Sequence, residues 1–179
     1  MPKTLFTIDL DYWTICLKQD AASAIPFINR LINLAPLVYV IKYHHQIILN
    51  KLTPKGTEKV INIDYHNDLT TGPYYKDPMS EGDWGNYLPK SVTDFEWRFP
   101  KKLCLGWNYG VCHPASQKLS DYPINYRYKQ GLSNLPFADI NCLVICESPD
   151  WGVDALNKQI LRGIGVFDFN GMMVMRQIK

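Results

Sequence analysis

Val60-Ile61-Asn62-Ile63 runs directly into Asp64-Tyr65-His66-Asn67-Asp68, so a strand-length and mostly apolar run ends in a carboxylate, an imidazole and a second carboxylate at alternate positions. Three other runs share this form. Leu5 to Ile8 ends at Asp9, Leu37 to Ile41 ends near His44, and Leu143 to Cys146 ends at Glu147. Each run is nearly continuous rather than alternating, the pattern of strands covered on both faces. Helical segments lie between some of them. Asp20 to Leu34 places Ala24, Ile25, Ile28, Leu31, Ile32 and Leu34 on one face, with Asp20 as a cap; His45 to Leu52 and Val153 to Leu161 are shorter candidates. This spacing predicts an α/β domain with a mainly parallel sheet. At the tail, Asn170-Gly171 separates Gly165–Phe169 from Met172–Ile178 and predicts a C-terminal β-hairpin at a sheet edge.

The chain has 179 residues, room for one full core and too few for two, so residues 1–179 are expected to form a single domain. A net charge of +2 supplies no broad basic field, which argues against a nucleic-acid partner. The nearest basic run, Arg98 to Lys102, is interrupted by Phe99 and Pro100 and reads as a solvated loop. Cys16, Cys104, Cys112, Cys142 and Cys146 are odd in number and form no CxxC pair. Buried, reduced thiols in a cytoplasmic protein fit this usage better than a disulfide framework. A strand pattern from the N-terminus reads as no signal peptide, and no apolar run reaches bilayer length, so no membrane partner is expected. The stretch from Thr70 to Pro136 is rich in Pro, Gly, Tyr and Trp and weak in periodicity, which suggests a functional segment.

Ligands of open α/β sheets collect at the carboxyl ends of the strands. Here those ends carry Asp9 and Asp11, then His44 and His45, then Asp64, His66 and Asp68. Carboxylates gathered this closely raise one another's pKa, and divalent cations relieve the conflict. Oxygen and imidazole donors without a thiolate suit Mn²⁺, with zinc and iron as alternatives. In an extended segment Asp64, His66 and Asp68 would share one face, as would Asp9 and Asp11. The plainer reading of each motif is loop capping; the combination of all three argues for metal.

Together these residues resemble a known family. VINIDYHNDL (60–69) is similar to the DxHxD metal signature of the arginase and ureohydrolase superfamily, and TIDLDYW (7–13) to its DxD signature. With YHHQ (43–46) and EGDWGNYL (81–88), the order resembles the small arginase-like family that includes the peptide arginases, which convert arginine side chains of a ribosomal precursor peptide to ornithine and release urea. The resemblance covers about Thr7 to Leu88, and more weakly Cys146 to Gly152. It implies a three-layer α/β/α fold of the arginase and deacetylase kind and two divalent ions, most simply Mn²⁺. Asp9 and Asp64 would bridge the pair, with His44 and Asp68 completing one ion and Asp11 and His66 the other. One residue of slippage would exchange His44 for His45. Glu147, in ICESPDW (145–151), resembles the glutamate that binds the guanidinium. Two departures stand out: the DxD strand precedes the DxHxD strand, and the chain is shorter than free-arginine arginases.

A guanidinium stays protonated and resonance-stabilised, so attack on it needs a stronger nucleophile than neutral water. Two ions sharing a water lower its pKa towards neutrality, giving a metal-bound hydroxide, and a carboxylate such as Glu147 would hold the cation through paired hydrogen bonds. Asp11 or Asp68 would take a proton, and His45 or His113 would protonate the leaving amine. Glu81 reads either as a carboxylate supporting the site or as part of a turn built on Gly82 and Gly85. Trp84, Trp97, Trp107, Tyr109, Tyr122, Tyr126 and Tyr128 read as packing first, and as a surface for an arginine-containing precursor peptide second. The competing functions are a non-catalytic metal-containing peptide-binding domain and a metal-dependent amide hydrolase or deacetylase.

Overall fold

The structure is a computed structural model that describes residues 3–14, 21–66, 68, 84–85, 87–100, 125–150, 152–167 and 169–177. In chain order these form β1 (Lys3–Asp9), α1 (Asp11–Thr14), α2 (Ala21–Leu34), β2 (Leu37–Ile41), α3 (Gln46–Leu49), β3 (Thr57–Ile63), β4 (Asp94–Phe99), β5 (Asn125–Gln130), β6 (Ile140–Cys146), α4 (Asp154–Gly163) and β7 (Met172–Gln177). The strands make one sheet in the order β5-β4-β3-β1-β6-β2-β7, parallel except for β7. The fold is α/β, with a mostly parallel sheet flanked by helices.

The four apolar runs are β1, β2, β3 and β6, the middle of the sheet, and their continuity reflects burial on both faces. Phe6, Ile8, Val38, Val40, Ile61, Ile63, Leu143 and Ile145 pack against Trp13 of α1, Ile28 and Leu31 of α2, and Ile160 and Leu161 of α4. Leu5, Ile41, Val60, Phe95, Trp97, Cys142, Val144 and Cys146 pack on the other side with Ile47 of α3, Leu52, Trp84 and Val92. Each fully buried aliphatic side chain of this kind contributes roughly 1.5–3 kcal/mol relative to exposure.

The connection leaving β1 runs over β6 to β2, whereas the connection leaving β3 runs the opposite way to β4. The carboxyl ends of the adjacent strands β1 and β3 are therefore the point of reversal in strand order at which open sheets commonly bind ligands.

Three expectations need correction. The tail does not form a hairpin: the described residues between 165 and 170 carry no strand, and β7 instead pairs antiparallel with β2. The chain still bends at Gly171, which sits at φ 103° with its carbonyl accepting Lys42 N–H. The segment before it is used to cross from α4 back to the sheet edge, where β2 offers an open side. Arg98 is no loop residue; it lies in β4, 1% exposed, with its Nε on Glu96 Oε1 at 2.6 Å and its Nη1 on the Ser133 carbonyl at 2.8 Å. Lys59 Nζ reaches the other oxygen of Glu96 at 3.2 Å, so the buried charges are paired. The third correction concerns how the site converges, below. Among the described residues no helix is long and apolar enough to cross a membrane.

Candidate metal centre

Asp9 is the last residue of β1, and Leu10 turns the chain by donating its N–H to the Cys146 carbonyl, so that Asp11 opens α1. Asp9 and Asp11 are therefore not two positions of one extended strand. They meet because Asp11 N–H donates to Asp9 Oδ1 at 2.9 Å. Asp64, His66 and Asp68 likewise converge through a bent loop rather than through strand alternation. His66 N–H folds back onto Asp64 Oδ1 at 2.8 Å, and Asp68 takes a left-handed backbone at φ 56°, which aspartate tolerates better than most residues. Trp97 Nε1–H holds the Asp64 carbonyl at 3.0 Å, and Asp64 N–H donates to the Arg98 carbonyl, so β4 fixes the start of this loop. The Tyr65 N–H donates to Asp11 Oδ1 at 3.1 Å and ties the β3 loop to α1.

After β2, Gln46 Oε1 accepts Lys42 N–H at 2.8 Å and Tyr43 N–H at 2.9 Å, shaping the turn that carries the histidine pair. His44 is the one turned inward, 3% exposed; His45 is half-buried and stacks on the Tyr43 ring at 5.7 Å. His44 Nδ1 stands 2.9 Å from Asp68 Oδ2, 3.2 Å from Asp64 Oδ2 and 3.3 Å from Asp9 Oδ2. His66 Nδ1 stands 2.8 Å from Asp11 Oδ2 and 3.8 Å from Asp64 Oδ1. The two oxygens of Asp64 thus face two different histidines.

A polar relay lies beneath. Asn62 Nδ2 donates to Asp64 Oδ2 and Asp68 Oδ2, each at 3.3 Å, which turns its Oδ1 towards Thr7. The Thr7 hydroxyl donates to that oxygen at 2.7 Å, so its own oxygen is left to accept from His44 Nε2–H at 3.0 Å. With Nε2 carrying hydrogen, Nδ1 points at three carboxylates and holds either a proton or a metal ion. Trp84 Nε1–H donates to Asp68 Oδ2 at 2.6 Å, and its ring lies 5.2 Å from that of His44. Trp84 and Trp97 are therefore buried supports of the cluster, Tyr126 is buried in the core, and Tyr128 is exposed.

The electrostatics are those of a cluster that lacks positive charge. Burial first, then Asp11, raises the Asp9 carboxyl well above its usual range; burial first, then Asp68, Asp11 and Asp9, does the same to Asp64. Burial also acts upward on Asp68, but the hydrogen bond and charge of His44, with bonds from Asp64 and Trp84, bring it down to about 2. Burial alone would depress His44, yet Asp68, Asp9 and Asp11 raise it. The described residues offer three groups of donor atoms that can hold a metal ion: Asp11, Asp64 and His66; His44, Asp64 and Asp68; and Asp9, His44 and Cys146. Hard oxygen and imidazole donors, buried and short of cations, fit divalent ions.

Glu147 follows β6 at the same edge and is 8% exposed. Burial and Asp154 raise its pKa while Lys42 and Lys158 lower it, and among the described residues no hydrogen bond joins its carboxylate to the Asp/His cluster. Glu81 and His113, with Trp107, Tyr109 and Tyr122, lie outside the described residues, as does Asp20. Sequence reading missed Thr7, Asn62 and Cys146. Thr7 and Asn62 stand two positions before Asp9 and Asp64, so strand alternation was the signal that could have found them.

The fold and site define an α/β protein with buried Asp/His groups able to hold metal ions. Comparison of the chain with family models, with curated proteins and with solved structures found no match.

Proposed function

We propose that the chain is a binuclear-metal hydrolase that acts on arginine side chains within a peptide, giving ornithine and urea as a post-translational maturation step. One observation carries this reading. Asp64 directs one oxygen to His44 and the other to His66, the disposition required of a carboxylate shared by two ions. Around it, His44, Asp68 and Asp9 would hold one ion and His66 and Asp11 the other. The resemblance of residues 7–88 to the arginase-like family supplies the substrate class.

When bound, the ions, most simply Mn²⁺, would supply a water of near-neutral pKa and positive charge against the developing tetrahedral centre. The remaining work falls to the chain. Glu147, buried and with its charge disfavoured, would gain a guanidinium as counter-ion and orient it by paired hydrogen bonds. Asp11 or Asp68 would accept a proton from the attacking water, and His45, half-buried and next to His44 in the chain, would pass one to the departing nitrogen. His113 and Glu81 are further candidates for the proton and substrate roles. The bond between the guanidinium carbon and the side-chain nitrogen would break, that nitrogen would stay on the peptide as the ornithine ammonium, and the carbon would depart as urea with the two terminal nitrogens and the water oxygen.

The test is mass spectrometry of an arginine-containing peptide incubated with Mn²⁺-reconstituted protein. The expected product has lost CN₂H₂ per modified arginine, with urea released in equal amount. Removal of an acyl group from an acylated lysine peptide instead would assign a deacetylase, and metal binding with neither reaction would assign a peptide-binding domain.

A further inference from the structure

Asp9 pairs with Cys146 across β1 and β6, and Ile41, three residues before His44, pairs with Cys146 across β6 and β2. Cys146 therefore lies between the strand that carries Asp9 and the strand that leads to His44. It packs in the same apolar cluster as Leu5 and Val60, on the face of the sheet that β1 alternation assigns to Asp9. Donor atoms of Asp9, His44 and Cys146 all lie within 4.8 Å of one another. The Cys146 thiol donates to the Lys42 carbonyl at 3.5 Å, which keeps its sulfur beside the turn that carries His44.

An ion bound at roughly 2.0–2.3 Å by oxygen, nitrogen and sulfur needs its donors about 3.3–3.9 Å apart, so these three close on a metal with movements below about 1 Å. His44 would join this set through Nδ1, which stands 3.3 Å from Asp9 Oδ2 and is left available by the hydrogen bond from Nε2 to Thr7. The same Nδ1 also serves the set His44, Asp64 and Asp68, and one lone pair holds one ion. The two sets therefore compete. One is all oxygen and nitrogen, the other contains sulfur, and sulfur favours zinc-class ions over manganese.

We propose that Cys146 is a metal ligand for soft divalent ions, so that the His44 position binds a zinc-class ion through Asp9, His44 and Cys146 but a manganese-class ion through His44, Asp64 and Asp68. The proposal rests on the metal-centre reading and adds its selectivity. Ligation displaces the thiol proton to solvent and transfers no electron. A zinc-class ion would thus be held by Asp9, His44 and Cys146 in place of Asp64 and Asp68.

The test uses Co²⁺ as a spectroscopic probe of the purified apoprotein. Wild type is expected to show cobalt d–d bands together with a thiolate-to-cobalt charge-transfer band in the near ultraviolet. Cys146→Ser should retain the d–d bands and lose the charge-transfer band. It should weaken Zn²⁺ binding about tenfold or more and leave Mn²⁺ binding within about twofold. X-ray absorption of Zn²⁺-loaded wild type should show one sulfur neighbour at about 2.3 Å, a measurement that needs no variant. Cobalt d–d bands without a charge-transfer band, or a band that survives Cys146→Ser, overturn the proposal and leave the metal centre standing. Absence of any cobalt binding overturns both.

Discussion

Thr7 and His44, on β1 and beyond β2, are joined by a buried hydrogen bond of 3.0 Å that determines which nitrogen of the imidazole faces the carboxylates. Because the Thr7 hydroxyl hydrogen is committed to Asn62, Thr7 can only accept, and His44 must donate from Nε2. Partners of this kind commonly contribute 10- to 100-fold to metal affinity. Thr7→Val keeps the shape and removes the acceptor, so Mn²⁺ affinity measured by calorimetry is expected to fall about tenfold, and Thr7→Ser should restore it. Wild-type affinity in Thr7→Val would deny Thr7 this positioning role.

Asp64 is the carboxylate whose loss should matter most, since its oxygens face both histidines. Asp64→Asn preserves volume and the hydrogen-bonded loop better than alanine. Elemental analysis after Mn²⁺ reconstitution is expected to show metal content falling from two ions to fewer than one, with loss of the Mn²⁺-dependent gain in Tm. Full metal content in this variant would remove the basis for a shared ligand.

Acid and metal should act on stability in opposite directions. Asp9 and Asp64 have folded pKa values above the usual carboxylate range, chiefly through burial, so the folded apoprotein holds protons that the unfolded chain releases. That contribution is complete in acid and lost as pH rises through the folded values. His44 has the same sign: its raised pKa stabilises below the ordinary histidine value, and this is lost as pH climbs through the raised one. Asp68, lowered to about 2, opposes them only in strong acid, losing its contribution as pH falls through that value. Apoprotein Tm is therefore expected to be higher near about pH 5.5 than near about pH 8. Mn²⁺ should reverse the order, because ions and protons compete for the same atoms and affinity rises with pH. An apoprotein that gains stability steadily up to about pH 8 would contradict the buried-carboxylate account.

Under the proposed function, Glu147→Gln should separate metal binding from substrate binding. Its pKa is raised by burial and by Asp154, so removing the charge should leave the apoprotein as stable as wild type or slightly more so at neutral pH. Metal content should be unchanged. On an arginyl peptide, kcat/KM is expected to fall by about 10²-fold or more, the scale of losing a partly desolvated charged partner. Unchanged kinetics would turn attention to Glu81.

Substrate size offers a further check. Under the proposed function, arginine inside a peptide is expected to be processed at higher kcat/KM than free arginine. Equal or better use of the free amino acid would point to an ordinary arginase.

Much of this was legible locally, and the failures have physical causes. β1, β2, β3 and β6 announced themselves because strands buried on both faces are written as unbroken apolar runs. β4 and β5 did not. Asp94–Phe99 carries Glu96 and Arg98, whose mutual pairing lets charge be buried and so defeats a hydropathy reading. Asn125–Gln130 is an edge strand with only Tyr126 buried. The six proposed ligands were readable as residue types at strand ends, yet their convergence was not, because it depends on a helix beginning at Asp11 and a left-handed backbone at Asp68. Trp84 gave no local sign of its bond to Asp68, since that contact is made by tertiary packing. The role of β7 turned on which neighbour was open, a property of the whole sheet rather than of the tail.

The placement of β1 between β3 and β6 has a consequence for synthesis. Asp9, Asp11, His44, Asp64, His66 and Asp68 all precede β6 in the chain, but Leu5 must pair with both Val60 and Cys142 before β1 is held on its two sides. Closing that distant pairing is entropically slow and comes late. A chain made only as far as Asp68 would thus carry every proposed ligand without β6, one of the two strands that hold β1, and would bind an ion weakly. Secure metal capture at the proposed centre would then require the finished sheet. Metal should consequently lengthen the lifetime of the native state, by slowing unfolding, far more than it hastens folding.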